Sequence, residues 1–235
     1  LLKRKLSASL RNNFLELTAL ATIADMMPQT NDNLEFLGEG LASLKETARP
    51  GLRVFWQMFG DDSSRQLIAQ KIISACHAGV TKDHLNEGYL LLISASTKEA
   101  EASAKDLLTK AAVRQAKIKE VASEIEQRVG EDAIVFEGDE FWSVLMLGPA
   151  ASKVCHNQKK PVFLYSKKNG FCQGAVRTPS GINGVKAMSH CSKLLELYGG
   201  HPQAAGFKIK EENLDKFKTC LIQYFGKAKR TKFSS

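Results

Sequence analysis

Several features are scarce in this 235-residue sequence, and each scarcity narrows what the protein can do. No apolar run approaches the roughly 20 residues needed to cross a bilayer, and no apolar core follows the basic start as it would in a signal peptide. A protein without membrane spans, residing in the cytoplasm, is expected. The chain opens on Leu1 instead of Met, so a processed product or a piece of a longer polypeptide is expected. The five cysteines, Cys76, Cys155, Cys172, Cys191 and Cys220, form no C-x-x-C pair. That spacing argues against a zinc ribbon or a redox dithiol and for buried, reduced thiols. The five histidines, His77, His84, His156, His190 and His201, are scattered, and no internal repeat is evident.

What is present is a chain able to form a core, with 43% hydrophobic residues and a length that suits one large domain or two modest ones. The net charge of +8 is unevenly spread. Residues 1–132 hold 17 Lys+Arg against 18 Asp+Glu, whereas residues 133–235 hold 16 against 7. A basic second half suggests an anionic partner, nucleic acid being the commonest, with a merely soluble basic surface as the plainer reading. The terminal run Lys227, Lys229, Arg230 and Lys232 reads as a basic tail.

The apolar stretch from Phe14 to Met27 predicts a buried helix ended by Pro28. Asn31, Asp32 and Asn33 offer caps for a second helix through Leu44, and Arg49-Pro50-Gly51 breaks the chain before an apolar segment, Leu52 to Phe59. Ser63 and Ser64 can cap a helix to Ala78, and Tyr89 to Ile93 is read as a short helix. Ser96 with Glu99 resembles a capping box, opening one long helix that ends at Gly130. Beyond it, strands are expected at Ile134 to Phe136, Phe141 to Leu147, Val162 to Tyr165 and Phe171 towards Arg177, with Asn169-Gly170 as a hairpin turn. Helices are expected at 149–157, 182–198 and 211–225, giving a mixed α/β second half.

The most specific stretch is Gly199-Gly200-His201-Pro202-Gln203-Ala204-Ala205-Gly206-Phe207, placed between a helix ending near Tyr198 and a strand beginning near Ala204. Two glycines let backbone N–H groups approach an anion without side-chain obstruction. His201 beside them can donate to a phosphate oxygen or take part in proton transfer. Taken alone, the same residues also read as a helix C-cap followed by a surface histidine. Arg177, at the end of a predicted strand, can hold a phosphate through two parallel hydrogen bonds, or can form a surface salt bridge. Asp25 stands in an apolar helix, where an unpaired carboxylate is costly; a cation, hydrogen-bond donors, a capping role or a metal would each relieve it.

The nonapeptide resembles the GGHPQAAG signature of the DHHA1 domain, the companion domain of DHH-family phosphoesterases. Gly174-Ala175-Val176-Arg177-Thr178-Pro179 resembles the family's G-x-x-R-S segment, and Gly148-Pro149-Ala150-Ala151-Ser152-Lys153 resembles its G-x-x-A-S-R segment. Here Thr178 stands for Ser and Lys153 for Arg; Lys keeps the charge but not the bidentate grip. Leu17 to Pro28 is similar to the RecJ-type segment that carries the last acidic motif of the DHH domain.

The resemblance implies an α/β chain: a mostly helical remnant of a DHH domain over 1–95, a connecting helix over 96–130, a mixed α/β DHHA1 substrate-binding domain over 131–228 and a basic tail over 229–235. It implies phosphate and substrate contacts from Arg177, Gly199, Gly200, Ser152, Lys153 and Thr178, with His201 catalytic and Asp25 a metal ligand. The implied partner is single-stranded nucleic acid, in a cleft between lobes of an intact enzyme using Mn²⁺ or Mg²⁺. Hydrolysis in that family needs several aspartates and a D-H-H motif around two metals, and this sequence has no D-H-H. The chain alone is therefore expected to bind single strands weakly, to cleave nothing and to carry no metal by itself, with an N-terminal DHH half as a missing partner. The alternatives are a phosphodiesterase for short oligonucleotides or cyclic dinucleotides, and a non-catalytic binding or regulatory module.

Overall fold

A computed structural model describes residues 8–60 and 62–231, with side chains described for 10–60 and 62–226. The described chain forms two compact units that divide between Gln115 and Ala116. No described helix is long and apolar enough to cross a membrane.

The first unit is mainly helical: α1 (Ala8–Ala24), α2 (Asp32–Ser43), α3 (Pro50–Phe59), α4 (Arg65–Ala78), the two-residue strands β1 (Thr81–Lys82) and β2 (Leu85–Asn86), and α5 (Glu87–Ile93). Local chemistry accounts for most of the boundaries. Pro50 opens α3 at a position where its missing N–H costs nothing. The Ser64 hydroxyl accepts from Leu67 N to start α4, as expected, and Asn86 does the same for α5 through Gly88 N. Asn31 caps α2 by position only, since its side chain makes no capping bond. The β1–β2 hairpin went unforeseen, because its turn residues Asp83 and His84 both take positive φ (50° and 65°) without the Asn-Gly pair that usually announces such a turn. Leu20, Leu44, Leu52, Phe55, Ile68, Ile72 and Leu91 form the core of this unit. α1 is less enclosed than its apolar sequence implied: Leu15, Ala19 and Leu20 are buried, whereas Phe14 and, past the helix end, Met26 and Met27 are exposed.

Helix α6 (Thr97–Arg128) begins in the first unit and ends in the second. Ser96 accepts from Glu99 N at its start, as the capping-box reading anticipated. Ala100, Ala104 and Leu107 join the first core, and Ile118, Val121, Ala122 and Ile125 join a core of the second unit.

The second unit continues with β3 (Val135–Asp139), α7 (Val144–Gln158), β4 (Val162–Lys168), β5 (Phe171–Arg177), α8 (Gly184–His190), β6 (Leu195–His201), β7 (Ala204–Lys210) and α9 (Leu214–Thr231). The strands form one sheet in the order β3-β4-β5-β7-β6, parallel at β3–β4 and antiparallel elsewhere. Period-two alternation divides each strand between two faces. Phe163, Cys172, Val176, Phe207 and Ile209 face the core shared with α8 and α9, while Val162, Leu164 and Ala175 face the core beneath α7. Part of the basic run falls in the last turns of α9; residues 232–235 lie outside the described residues.

Two sequence expectations are overturned here. The strand expected over 141–147 is instead a bend followed, from Val144, by the first turn of α7, whose buried Leu147, Ala150, Ala151 and Val154 repeat with helical spacing. The helix expected over 182–198 stops at His190, and β6 begins at Leu195. The short apolar run Leu194, Leu195, Leu197 and Tyr198 suits either periodicity, and pairing with β7 selects the strand. A third correction concerns the thiols: Cys191, closing α8, is disulfide-bonded to Cys220 on α9, so only Cys76, Cys155 and Cys172 are free. Cys155 and Cys172 are buried as expected and Cys76 is partly buried; burial raises the pKa of each free thiol, that of Cys76 to about 11, which disfavours the thiolate.

Candidate nucleic-acid-binding site

The site is built at one end of the sheet from the last residue of β5, one face of α7 and the β6–β7 hairpin. Arg177 ends β5, and its Nε donates to Ser152 Oγ on α7 at 3.0 Å, while Nη1 donates to Val176 O at 2.9 Å. Gly148 lies one helical turn before Ser152 and leaves room for the guanidinium: a Cβ there would stand 3.0 Å from Nη2. Among the described residues no carboxylate pairs with Arg177. Burial draws its pKa below the ordinary arginine value, with the Cys155 thiol opposing. A positioned, partly desolvated cation without a counter-charge is suited to an incoming anion.

The hairpin places its residues by register. Opposite pairs in an antiparallel ladder share a face, so His201 with Ala204 and Gly199 with Gly206 lie on the Arg177 face, because Arg177 is itself opposite Ala204. Gly199 and His201 are exposed, and the His201 imidazole makes no hydrogen bond to the described residues. The two adjacent glycines differ in kind. Gly200 has φ of 129° and a Cβ on it would sit 2.7 Å from Ala204 O, so the hairpin itself requires glycine. Gly199 has an ordinary φ and open space where its Cβ would be, so nothing in the chain excludes a side chain there. Neither is the helix C-cap that the sequence left open, since both lie in β6.

Thr178 is only 6% exposed. Its hydroxyl hydrogen is directed to Ile182 O at 2.7 Å and Pro202 O at 3.2 Å, tying the end of β5 to the hairpin turn. Beside it lies an open depression of about 440 Å³ lined by Gly181, Ile182, Asn183, His201, Pro202 and Gln203. Lys153 is exposed on α7, next to Ser152. Register thus sets Arg177, Gly199 and His201 on one face of the sheet, with Ser152 of α7 bound to Arg177 and Thr178 bracing the hairpin.

Asp25 belongs to the other unit. It lies just past α1, is exposed, and sits in a helix-ending turn in which Met27 N bonds Thr22 O, Met26 N bonds Ile23 O and Met26 takes a φ of 51°. Burial therefore forces no counter-ion on Asp25, contrary to the expectation from its apolar neighbours. Among the described residues no group of three or more His, Cys, Asp or Glu could hold a metal ion. Gly148, which makes room for the guanidinium, was legible only as part of its motif segment, because the helix was expected to begin after it.

The family model described as the DHHA1 domain matches residues 131–227. The single-stranded-DNA-specific exonuclease RecJ of Bacillus subtilis is 25% identical over 229 residues, covering 94% of this chain and 29% of that protein. The RecJ of Thermus thermophilus is 28% identical over 213 residues, covering 90% of this chain and 31% of that protein. The crystal structure of T. thermophilus RecJ in complex with Mn²⁺ superposes with a TM-score of 0.83 at 27% identity, over 92% of this chain and 33% of that one. The chain thus spans about a third of the length of the relatives it matches. Residues 131–227 thus match the DHHA1 domain, in agreement with the signature residues, and the chain is similar to RecJ over most of its length.

Proposed function

We propose that this chain is the substrate-holding portion of a RecJ-like exonuclease that hydrolyses phosphodiester bonds of single-stranded DNA. The observation that carries the reading is the Arg177 guanidinium, fixed by Ser152 over Gly148 and lacking a carboxylate among the described residues. In this reading a substrate phosphate takes the free edge of Arg177, with Lys153 adding charge and the sugar–phosphate backbone lying against Gly199. His201, exposed at the rim, donates to a phosphate oxygen or relays a proton during cleavage. Thr178 supports the site by holding the hairpin to β5.

In the whole protein a pair of divalent ions, Mn²⁺ or Mg²⁺, would supply the activated water. The residues described here do not fit a complete metal centre, so no step is assigned through one; Asp25 is proposed as one ligand of a cluster completed by residues outside this chain. The chain alone then binds but does not cut.

Fluorescence anisotropy with a 5′-phosphorylated oligothymidylate tests the grip. Binding that weakens with added salt and is lost in Arg177→Ala is expected; affinity unchanged in that variant overturns the assignment. Degradation of single strands by the purified chain with Mn²⁺ would refute its catalytic incompleteness.

A further inference from the structure

The face that holds Arg177 does not end at the phosphate grip. Along β5 the side chains of Phe171, Gln173, Ala175 and Arg177 point the same way, alternating with the buried Cys172, Gly174 and Val176. Their partners on β7 are Lys210, Lys208, Gly206 and Ala204, and β6 adds Leu197, Gly199 and His201 across from them. Lys168 on β4 stands directly opposite Phe171. α7 covers the β4 side of this face, whereas Gln173, Lys208, Leu197 and Gly199 are exposed. Ala175 lies beneath α7, and beyond it the result is a strip of sheet with a floor of small residues, Gly206, Gly199 and Ala204. Arg177 and His201 stand at one end, and Lys168, Lys208 and Lys210 at the other.

The charged residues of this strip on β4, β5 and β7 are all cations, and the exposed Glu196, at the β6 bulge between Leu195 and Leu197, is the carboxylate beside them. None of the three lysines has an ion-pair partner among the described residues, and Glu211, which follows β7, is engaged by Lys167 from the opposite face. Lys208 Nζ lies 4.8 Å from the centroid of the Phe171 ring, which steadies the ammonium group. Six residue steps separate Arg177 from Phe171, on the order of 20 Å at about 3.3 Å per residue. That exceeds the reach of one nucleotide.

We infer that this open half of the sheet is a track for several consecutive nucleotides of a single strand. Arg177 takes the phosphate at one end, and Lys168, Lys208 and Lys210 take phosphates further along the same strand. The inference rests on the proposed phosphate grip and extends it from a point contact to a path. Small floor residues fit this role because they let a sugar–phosphate backbone lie close to the strands, while cations at the far end give affinity without reading sequence.

The test uses the full chain with two probes, a 5′-phosphorylated thymidine dinucleotide and a longer oligothymidylate, across a salt series. In the Lys168→Ala/Lys208→Ala/Lys210→Ala variant the dinucleotide affinity stays within about twofold, because a short ligand at Arg177 does not reach the lysines. For the long strand, the slope of log K against log salt becomes shallower by about 2, at roughly 0.7 for each phosphate that the lysines no longer neutralise. These lysines are exposed, so the variant keeps its fold, which circular dichroism verifies. An unchanged slope overturns the track and leaves the face to an acidic polypeptide. Failure of the grip itself reads out separately, as dinucleotide binding that survives Arg177→Ala.

Discussion

Two neighbouring glycines offer a decisive comparison, because Gly199 and Gly200 are identical in chemistry and opposite in circumstance. At Gly200 an alanine would adopt a φ of 129° and bring its Cβ to 2.7 Å from both Ala204 O and Ala205 Cα. The conformational cost is of order 1–3 kcal/mol and the backbone contact adds to it, so Gly200→Ala should destabilise the second unit by about 2–4 kcal/mol. At Gly199 a Cβ meets nothing within 4 Å, and removing a strand glycine is stabilising by roughly 0.5–1 kcal/mol. Gly199→Ala should therefore leave stability unchanged or slightly improved. Its effect should fall on binding: a methyl group between the sheet and a close-lying nucleic-acid backbone costs about 1–3 kcal/mol, roughly 5- to 150-fold in Kd. Urea denaturation and oligothymidylate anisotropy on the two variants measure both quantities. If Gly199→Ala binds as well as wild type, nothing approaches that glycine, and the reading of this face as the nucleic-acid surface is refuted.

Further expectations follow from the same contacts. Arg177→Lys keeps the charge but loses the planar fork, and oligonucleotide affinity should fall by about 1.5–3 kcal/mol in a titration at constant salt. The Cys191–Cys220 disulfide closes a loop with a sequence separation of 29, so Cys191→Ser with Cys220→Ser, or a dithiol reductant, should lower the stability of the second unit by up to about 3–4 kcal/mol in denaturant melts. Glu16 is buried, and although the Thr47 hydroxyl donates to it at 2.8 Å, burial pushes its pKa above the ordinary 4.5. The folded state then holds that proton more tightly than the unfolded state, so the Glu16 contribution to stability falls as pH rises from 4.5 through the folded value. Glu16→Gln keeps an acceptor for Thr47 and should flatten this decline; a pH series of melts showing no change in slope would refute the assignment.

How much of this was legible in the sequence depended on whether the signal was local. Pro50, Ser64 and Asn169-Gly170 act on their immediate neighbours, and the structure bears out each of them. β6 was not legible, because Leu195, Leu197 and Tyr198 satisfy helix and strand periodicity alike, and only the partner strand β7 decides between them. The same limit hid the disulfide, since nothing near Cys191 or Cys220 announces the other. Asp25 shows the opposite error: the apolar residues around it implied burial, but they cover one side of α1 only, and Asp25 lies beyond its end. For the site, motif positions identified Arg177, Ser152 and Gly199, whereas their arrangement on one face emerged only with the register of β5, β6 and β7.

The boundary of the matched family is not the boundary at which this domain could be cut. The DHHA1 match begins at residue 131, yet Ile118, Val121, Ala122 and Ile125 of α6 are buried in the core that seals β3, β4 and α7. A polypeptide severed at residue 131 would leave Val135, Leu147, Val154, Val162 and Leu164 with bare apolar surface, inviting self-association before any nucleic acid is met. Evolutionary units and folding units part company here by about three turns of one helix.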